Sequence, residues 1–183
     1  MKRLFIGLQI PENVIQTLEE LSTELTGAIW KTPDKYHLTL EFVGNVEEPI
    51  ADEIERELKY IRFPAFQLAL KEIGYFANGD IPHHLWAGVE PDKALRELQA
   101  KIENTVKKIQ EKSQDKFKFH PHVTLAKLQG TSVDDVFGYI SQNNLYHSPE
   151  WQVTSFCLFE SHAKENGEGK YYTVRAEYPL SLI

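Results

Sequence analysis

Hydrophobic positions recur along the chain in two interleaved rhythms, and together they divide it into two similar halves. Arg3 to Ile10 reads as a strand, and Pro11 opens a helix with Val14, Ile15, Leu18, Leu21 and Leu25 at helical spacing. In Tyr36 to Val43, the residues Tyr36, Leu38, Leu40 and Phe42 alternate with His37, Thr39 and Glu41, which predicts a second strand. Ile50, Ile54, Leu58 and Ile61 mark another amphipathic helix, and Phe66, Leu68 and Leu70 alternate as a third strand.

The order then begins again. After a Gly- and Pro-bearing loop around Asn78 to Pro82, Leu85 to Val89 is strand-like, and Leu95, Leu98, Ile102, Val106 and Ile109 form a helical stripe. His122 to Leu128 is a strand. Val133, Val136, Phe137 and Ile140 face inward from a helix capped by Thr131 or Ser132, and Trp151 to Phe159 is the next strand. A polar loop, Ser161 to Lys170, is expected to be the most mobile segment because of Gly167 and Gly169, and Tyr171 to Tyr178 closes the pattern. The repeat is about 85 residues long, too long for a solenoid. A duplicated α+β module is predicted, one domain over 1–183 with pseudo-repeats of about 1–80 and 81–183, and no Pro/Gly/Ser-rich linker divides it.

Composition narrows the class. The 183 residues are 42% hydrophobic and 11% aromatic, which argues against disorder, and apolar runs such as Leu4 to Leu8 are too short to span a bilayer. Lys2 and Arg3 precede an apolar stretch as in a signal peptide, but Gln9 and Glu12 interrupt it, so the chain is expected to be unexported and cytoplasmic. A lone cysteine, Cys157, can make neither an intramolecular disulfide nor a Cys-based zinc site. With 27 Asp and Glu against 20 Lys and Arg, and a net charge of -7, tracking along a polyphosphate backbone is disfavoured.

The repeat carries chemistry at one point. His37-Leu38-Thr39-Leu40 in the first half is matched by His122-Val123-Thr124-Leu125 in the second. Residues two apart on a strand share a face, so each His-x-Thr presents an imidazole and a hydroxyl roughly 6.6 Å apart. Two histidines titrating near neutrality can supply a general base and a general acid together. Phosphodiester hydrolysis needs both, since water loses a proton as it attacks while the departing alkoxide gains one, and the Thr hydroxyls can donate to the non-bridging oxygens. The scheme requires neither a metal nor a covalent intermediate. A solitary His-x-Thr is ordinary sheet composition, because Thr favours strands. Its repetition at equivalent places favours a functional reading.

At these residues the chain resembles the two-histidine phosphoesterase superfamily, and within it the bacterial and archaeal RNA 2',3'-cyclic phosphodiesterases historically called 2'-5' RNA ligases. Arg3 to Leu8, Trp30-Lys31-Thr32-Pro33 with His37 to Gly44, Leu85 to Val89, Pro121 to Lys127, Leu158 to Ser161 and Tyr172 all fit, so the likeness covers essentially the whole chain. The resemblance implies a bilobal α+β fold of two pseudo-symmetric antiparallel-sheet lobes, with outer helices around a central groove. It also implies an enzyme that opens an RNA-terminal 2',3'-cyclic phosphate to a 2'-phosphate. His37 would be the proton donor, His122 the proton acceptor, and Thr39, Thr124 and Lys127 would bind substrate, with no metal or other cofactor. The chain departs from the family where Arg is common: Lys127 stands after Leu125-Ala126, Ile29 precedes Trp30, and Pro82-His83-His84 replaces an Arg-rich loop.

Other candidates carry bland readings. His120-Pro121-His122 has a spacing seen in metal sites but lacks an evident carboxylate partner. His83 and His84 are expected in a polar surface loop, His147 and His162 in loops, and Lys107 to Lys118 at a solvated helix end. Phe5, Phe42 and Trp86 fit core packing, although an aromatic at a groove mouth can stack on a base. In an ideal strand Lys127 faces away from His122, so a phosphate contact needs a bulge or a strand end. The expected partners are RNA ends bearing 2',3'-cyclic phosphate or small cyclic nucleotides, met by a monomer away from membranes. A cyclic phosphodiesterase of small nucleotides and a non-catalytic nucleotide or RNA-end binder remain as alternatives.

Overall fold

A computed structural model describes residues 1–111 and 118–182. Within the charge-rich segment Lys107 to Lys118, residues 112–117 lie outside the described ones. The fold is α+β. Among the described residues the strands are β1 (Lys2–Gln9), β2 (Ala28–Trp30), β3 (His37–Val46), β4 (Phe66–Asn78), β5 (Ile81–Glu90), β6 (His122–Leu128), β7 (Trp151–Val153), β8 (Ser155–Ala163) and β9 (Lys170–Pro179). The helices are α1 (Glu12–Glu19), α2 (Glu48–Leu58), α3 (Lys93–Gln110) and α4 (Val133–Gln142).

The strands form one sheet in the order β7-β4-β5-β6-β3-β1-β8-β9, with β2 pairing β6 beside this path. Its two halves meet where Leu38 of β3 stands opposite Val123 of β6. Third strands are exchanged between the sequence repeats: β4 follows the first repeat but pairs with β5, while β8 follows the second but pairs with β1. Each repeat therefore depends on the other for a sheet partner.

The apolar faces of the helices and one face of the sheet share a core. Leu4, Ile6 and Leu8 of β1, Leu38 and Leu40 of β3, and Val123 and Leu125 of β6 meet Val14, Ile54, Leu98, Ile102 and Val136 from the helices. A second, smaller cluster of Phe5, Cys157 and Phe159 lies on the other face, with Tyr172 packed against it. β1 is thus buried on both sides, which is why Leu4 to Leu8 reads as an unbroken apolar run. Gly7 is required where β1 approaches β3, because a Cβ there would lie 2.6 Å from the Leu38 carbonyl oxygen.

Several element boundaries differ from the sequence expectation. α1 ends at Glu19, so Leu21 and Leu25 lie beyond it despite their helical spacing; Ser22, Thr23, Thr26 and Gly27 favour turns over helix. Ile61 likewise follows the end of α2. β4 and β5 run to a two-residue turn at Gly79 and Asp80, which puts Pro82, His83 and His84 in a strand rather than a loop. The segment Trp151 to Phe159 breaks at Thr154 into β7, on β4, and β8, on β1. Ser132 caps α4 by accepting from the Asp135 amide at 3.1 Å, and Tyr139 rather than Phe137 joins Val136 in the buried stripe. Phe137 points outward against Tyr75.

Since Leu38 is fully buried at the junction of the two half-sheets, Leu38→Ala is expected to destabilise the protein by about 2–5 kcal/mol in equilibrium denaturation. A loss below about 1 kcal/mol would mean that the junction is held elsewhere.

Candidate active site

The register at the junction builds the site. Taking one step either way from Leu38 opposite Val123 sets His37 across from Thr124, and Thr39 across from His122. Cross-strand neighbours have Cβ atoms roughly 5 Å apart, so each imidazole stands beside the other motif's hydroxyl. All four side chains line one groove of about 630 Å³. The intervening Leu38 and Val123 are buried in the core behind it.

Both histidines are held in the same way. Nδ1 of His37 is 2.8 Å from the Lys35 carbonyl oxygen, and Nδ1 of His122 is 2.6 Å from that of His120. A carbonyl can only accept, so Nδ1 carries the proton and donates it. In the neutral ring Nε2 is then the basic nitrogen left for the groove. Aromatic rings cushion each imidazole: Phe5 at 4.8 Å and Tyr172 at 5.2 Å for His37, Phe76 at 5.0 Å and Trp86 at 6.3 Å for His122. Gly74 lies directly beneath the Trp86 indole, where a Cβ would collide with the ring.

Burial among these rings decides the protonation state. It pushes His37 down to about 4, with the Lys35 carbonyl opposing the shift and Lys31 and His122 adding to it. His122 is lowered as well, again mainly by burial. In the free protein, burial therefore favours the neutral form of both rings.

A bulge follows each motif at the same step. Along β1, Gly7 faces Thr39 while Ile6 faces Glu41; along β5, Trp86 faces Thr124 while Leu85 faces Ala126. The extra residues are Leu40 and Leu125, and each shifts the following positions to the opposite face. Phe42 thus leaves the core expected for it and stands 74% exposed at the groove. Lys127, five residues after His122 as Phe42 is after His37, comes onto the groove face directly opposite His84. It does not line the groove itself, whereas His84 does.

Other predicted positions separate cleanly. Phe5 is buried in the smaller cluster, as core packing expects, and Trp86 packs against His120 and His122, so both rings back the groove histidines without lining the groove. His120 packs against Trp86 at 4.7 Å and Phe76 at 5.4 Å, and among the described residues no group of three or more His, Cys, Asp or Glu is arranged to hold a metal ion. His147 and His162 lie outside the groove, while His83 pairs through Nδ1 with Nδ1 of His84 at 2.6 Å. The sequence reading missed Lys31, Lys35 and Gln99 on the groove wall. The position of Lys31 and Lys35 just before the first motif was the available signal.

The family description "2'-5' RNA ligase superfamily" matches residues 10–165. The chain belongs to this superfamily. Among superfamily relatives, a Thermotoga maritima protein named RNA 2',3'-cyclic phosphodiesterase is 32% identical over 133 residues, covering 69% of this chain and 70% of that protein. An Aeropyrum pernix protein of the same name is 39% identical over 108 residues, which span 57% of this chain and 61% of that protein. A Bacillus subtilis protein, also so named, is 30% identical over 170 residues, 88% of this chain and 89% of its own length. The superfamily fold is shared with E. coli LigT in its apo form, with a TM-score of 0.79 at 22% identity over 98% of both chains. A Thermus thermophilus protein gives 0.73 at 26% identity over 97% of both.

His37 links stability to pH. Its folded pKa of about 4 lies below the ordinary 6.5, so between these values the unfolded chain binds a proton that the folded one excludes. Stability from this group is full above pH 6.5 and is lost as pH falls toward 4. Denaturant melts at pH 7 and pH 5 should therefore show a smaller acid-induced loss for His37→Gln than for wild type; equal losses would contradict the buried neutral ring.

Proposed function

We propose that this protein hydrolyses RNA-terminal 2',3'-cyclic phosphate to a 2'-phosphate, with His37 as general acid and His122 as general base. The observation that carries the reading is the quartet of two Nε2 atoms and two Thr hydroxyls on one groove face, each imidazole beside the hydroxyl of the other motif. The relatives' shared name, RNA 2',3'-cyclic phosphodiesterase, supports the choice of ester.

Nε2 of His122 takes a proton from water as the water oxygen bonds to phosphorus. Nε2–H of His37 gives its proton to the 3' oxygen as the P–O3' bond breaks, leaving the phosphate on the 2' oxygen. Thr39 and Thr124 donate to the non-bridging oxygens, where negative charge sits. Exchange with solvent then removes the proton from His122 and returns one to His37.

The neutral rings of the free groove fit this cycle. A bound phosphodiester anion raises the pKa of both imidazoles, so substrate itself favours loading the proton that His37 delivers. The division of roles follows the family resemblance, and because the empty groove holds His37 well below neutrality, its proton must be loaded together with the substrate anion. The groove also answers the acidic composition: Lys31, Lys35, Lys107 and Lys118 line it against Glu41 and Glu103, and Glu103 is tied to Lys107. Exposed Phe42 offers a ring to a terminal base, and Lys127 stands beyond Thr124 on the same face as a contact for the rest of the substrate.

A short RNA ending in 2',3'-cyclic phosphate, read by product mass and phosphate position, tests the proposal. The expected product carries a 2'-phosphate, and His37→Ala and His122→Ala should each lower the rate by at least about 100-fold while the circular dichroism stays native. Near wild-type turnover by either variant would overturn the mechanism. Binding without turnover by the wild-type protein would favour a non-catalytic binder.

A further inference from the structure

We infer that Gln99 reads the edge of the terminal nucleobase from the floor of the groove, so that RNA ends carrying a 6-aminopurine or a 4-aminopyrimidine are hydrolysed in preference to their oxo counterparts. The inference rests on the function proposed above and adds a base preference to it.

The two ends of the groove are closed differently. On the side of His37 and Thr124, β2 pairs with β6 along Ala28 to Trp30 and fills the space beside it. On the side of Thr39 and His122 no strand among the described residues enters the gap between β3 and β6, and α3 runs beneath it. Two side-chain bonds set the course of the helix: Nη1 of Arg96 donates to the Phe119 carbonyl oxygen at 2.8 Å, and Nε2 of Gln110 donates to that of Val43 at 3.0 Å. At about 1.5 Å per residue, α3 covers roughly 21 Å between these anchors, from the segment that leads into His122 to the far part of β3. Gln99, Glu103 and Lys107 lie between them on successive turns, in one stripe that lines the groove.

The walls above this floor are apolar. Leu40, Phe42 and Phe119 line the same groove, and the Arg96 guanidinium lies over the Phe119 ring at 5.8 Å. With the bulge at Leu40 discounted, Phe42 is two strand steps past Thr39, roughly 6.6 Å, which is the reach from a terminal phosphate to its own base. Phe42 takes the face of the base. What is left to meet α3 is its edge.

Gln99 is the group suited to read that edge. The buried polar residues among those described are Gln99, which is 7% exposed, Thr131 and Ser148. Thr131 donates to the Thr26 carbonyl oxygen, and Ser148 donates to that of Pro149 while accepting from the Leu70 amide, so both hydroxyls are occupied. Gln99 donates one Nε2 hydrogen to Oε2 of Glu103 at 3.1 Å, and since a carboxylate only accepts, this fixes the orientation of the amide. Lys107 holds the other oxygen of Glu103. Oε1 and the second Nε2 hydrogen of Gln99 have no partner among the described residues, and the groove is the side they face. A half-buried amide in this state is relieved by a matching ligand.

An acceptor beside a donor matches an amino group beside a ring nitrogen, the pair that adenine and cytosine present. Hypoxanthine and uracil place a carbonyl oxygen and an N–H there instead, so both contacts become mismatches. The amide cannot turn over to suit them without setting its own oxygen against the Glu103 carboxylate.

Four short RNAs of one sequence that differ only in the last nucleoside, adenosine, inosine, cytidine or uridine 2',3'-cyclic phosphate, test the inference. Wild-type kcat/KM should be higher by at least about tenfold for adenosine over inosine and for cytidine over uridine. Gln99→Leu and Gln99→Met, which keep an apolar stem on α3 and remove the amide, should each bring both ratios to within about twofold of one. Wild-type ratios near one, or ratios that survive in both variants, would overturn the base reading while leaving the hydrolase reading in place. No turnover of any of the four by wild type would overturn the hydrolase reading, and the base reading with it.

Discussion

The antiparallel contact between β3 and β6, Leu38 opposite Val123, is the constraint on which the site depends. It joins the two half-sheets and at the same time fixes which residues of the two motifs face each other. A slip of one residue in either strand would turn that strand's imidazole into the core and bring its Leu38 or Val123 out to solvent. Burial of those two side chains therefore protects the register of the groove, and the energetics of the fold and the geometry of the chemistry rest on the same pair. The exchange of β4 and β8 between the repeats adds to this, since neither half can complete its sheet without the other.

Around that contact, burial and hydrogen bonding act in opposite directions on the histidines. Aromatic cushions strip water from the rings and favour the neutral form, while the carbonyls of Lys35 and His120 hold Nδ1–H and partly restore basicity. The outcome is a pair of neutral imidazoles with a common tautomer, poised to respond to an anion. The overall charge of -7 conceals a groove wall on which lysines predominate. Composition speaks to the average surface, whereas recognition depends on a few side chains that the sheet gathers together.

Periodicity made the element order, the core stripes of α2 and α3, and the two His-x-Thr motifs legible in the sequence. What it could not supply is the bulge after each motif. Strict alternation sends Phe42 to the core and Lys127 away from His122, and both expectations fail for one reason: Leu40 and Leu125 are inserted against β1 and β5. His83 and His84 were misplaced in a loop because Gly79 and Pro82 look like loop punctuation, yet the turn needs only Gly79 and Asp80. Lys31 gave no periodic signal at all. Its place in the groove comes from the pairing of β2 with β6, a contact between segments nearly a hundred residues apart in sequence.

The central claim is that the paired register presents two neutral imidazoles through Nε2. Nitrogen-15 NMR of the side chains of His37 and His122, followed through a pH titration with and without inorganic phosphate, tests it most directly. The expected result is the Nδ1–H tautomer for both, titration of both below pH 6.5 with His37 the lower, and an upward shift of His37 when phosphate is present. Nε2–H tautomers, or titration at or above pH 6.5 in the empty groove, would contradict it.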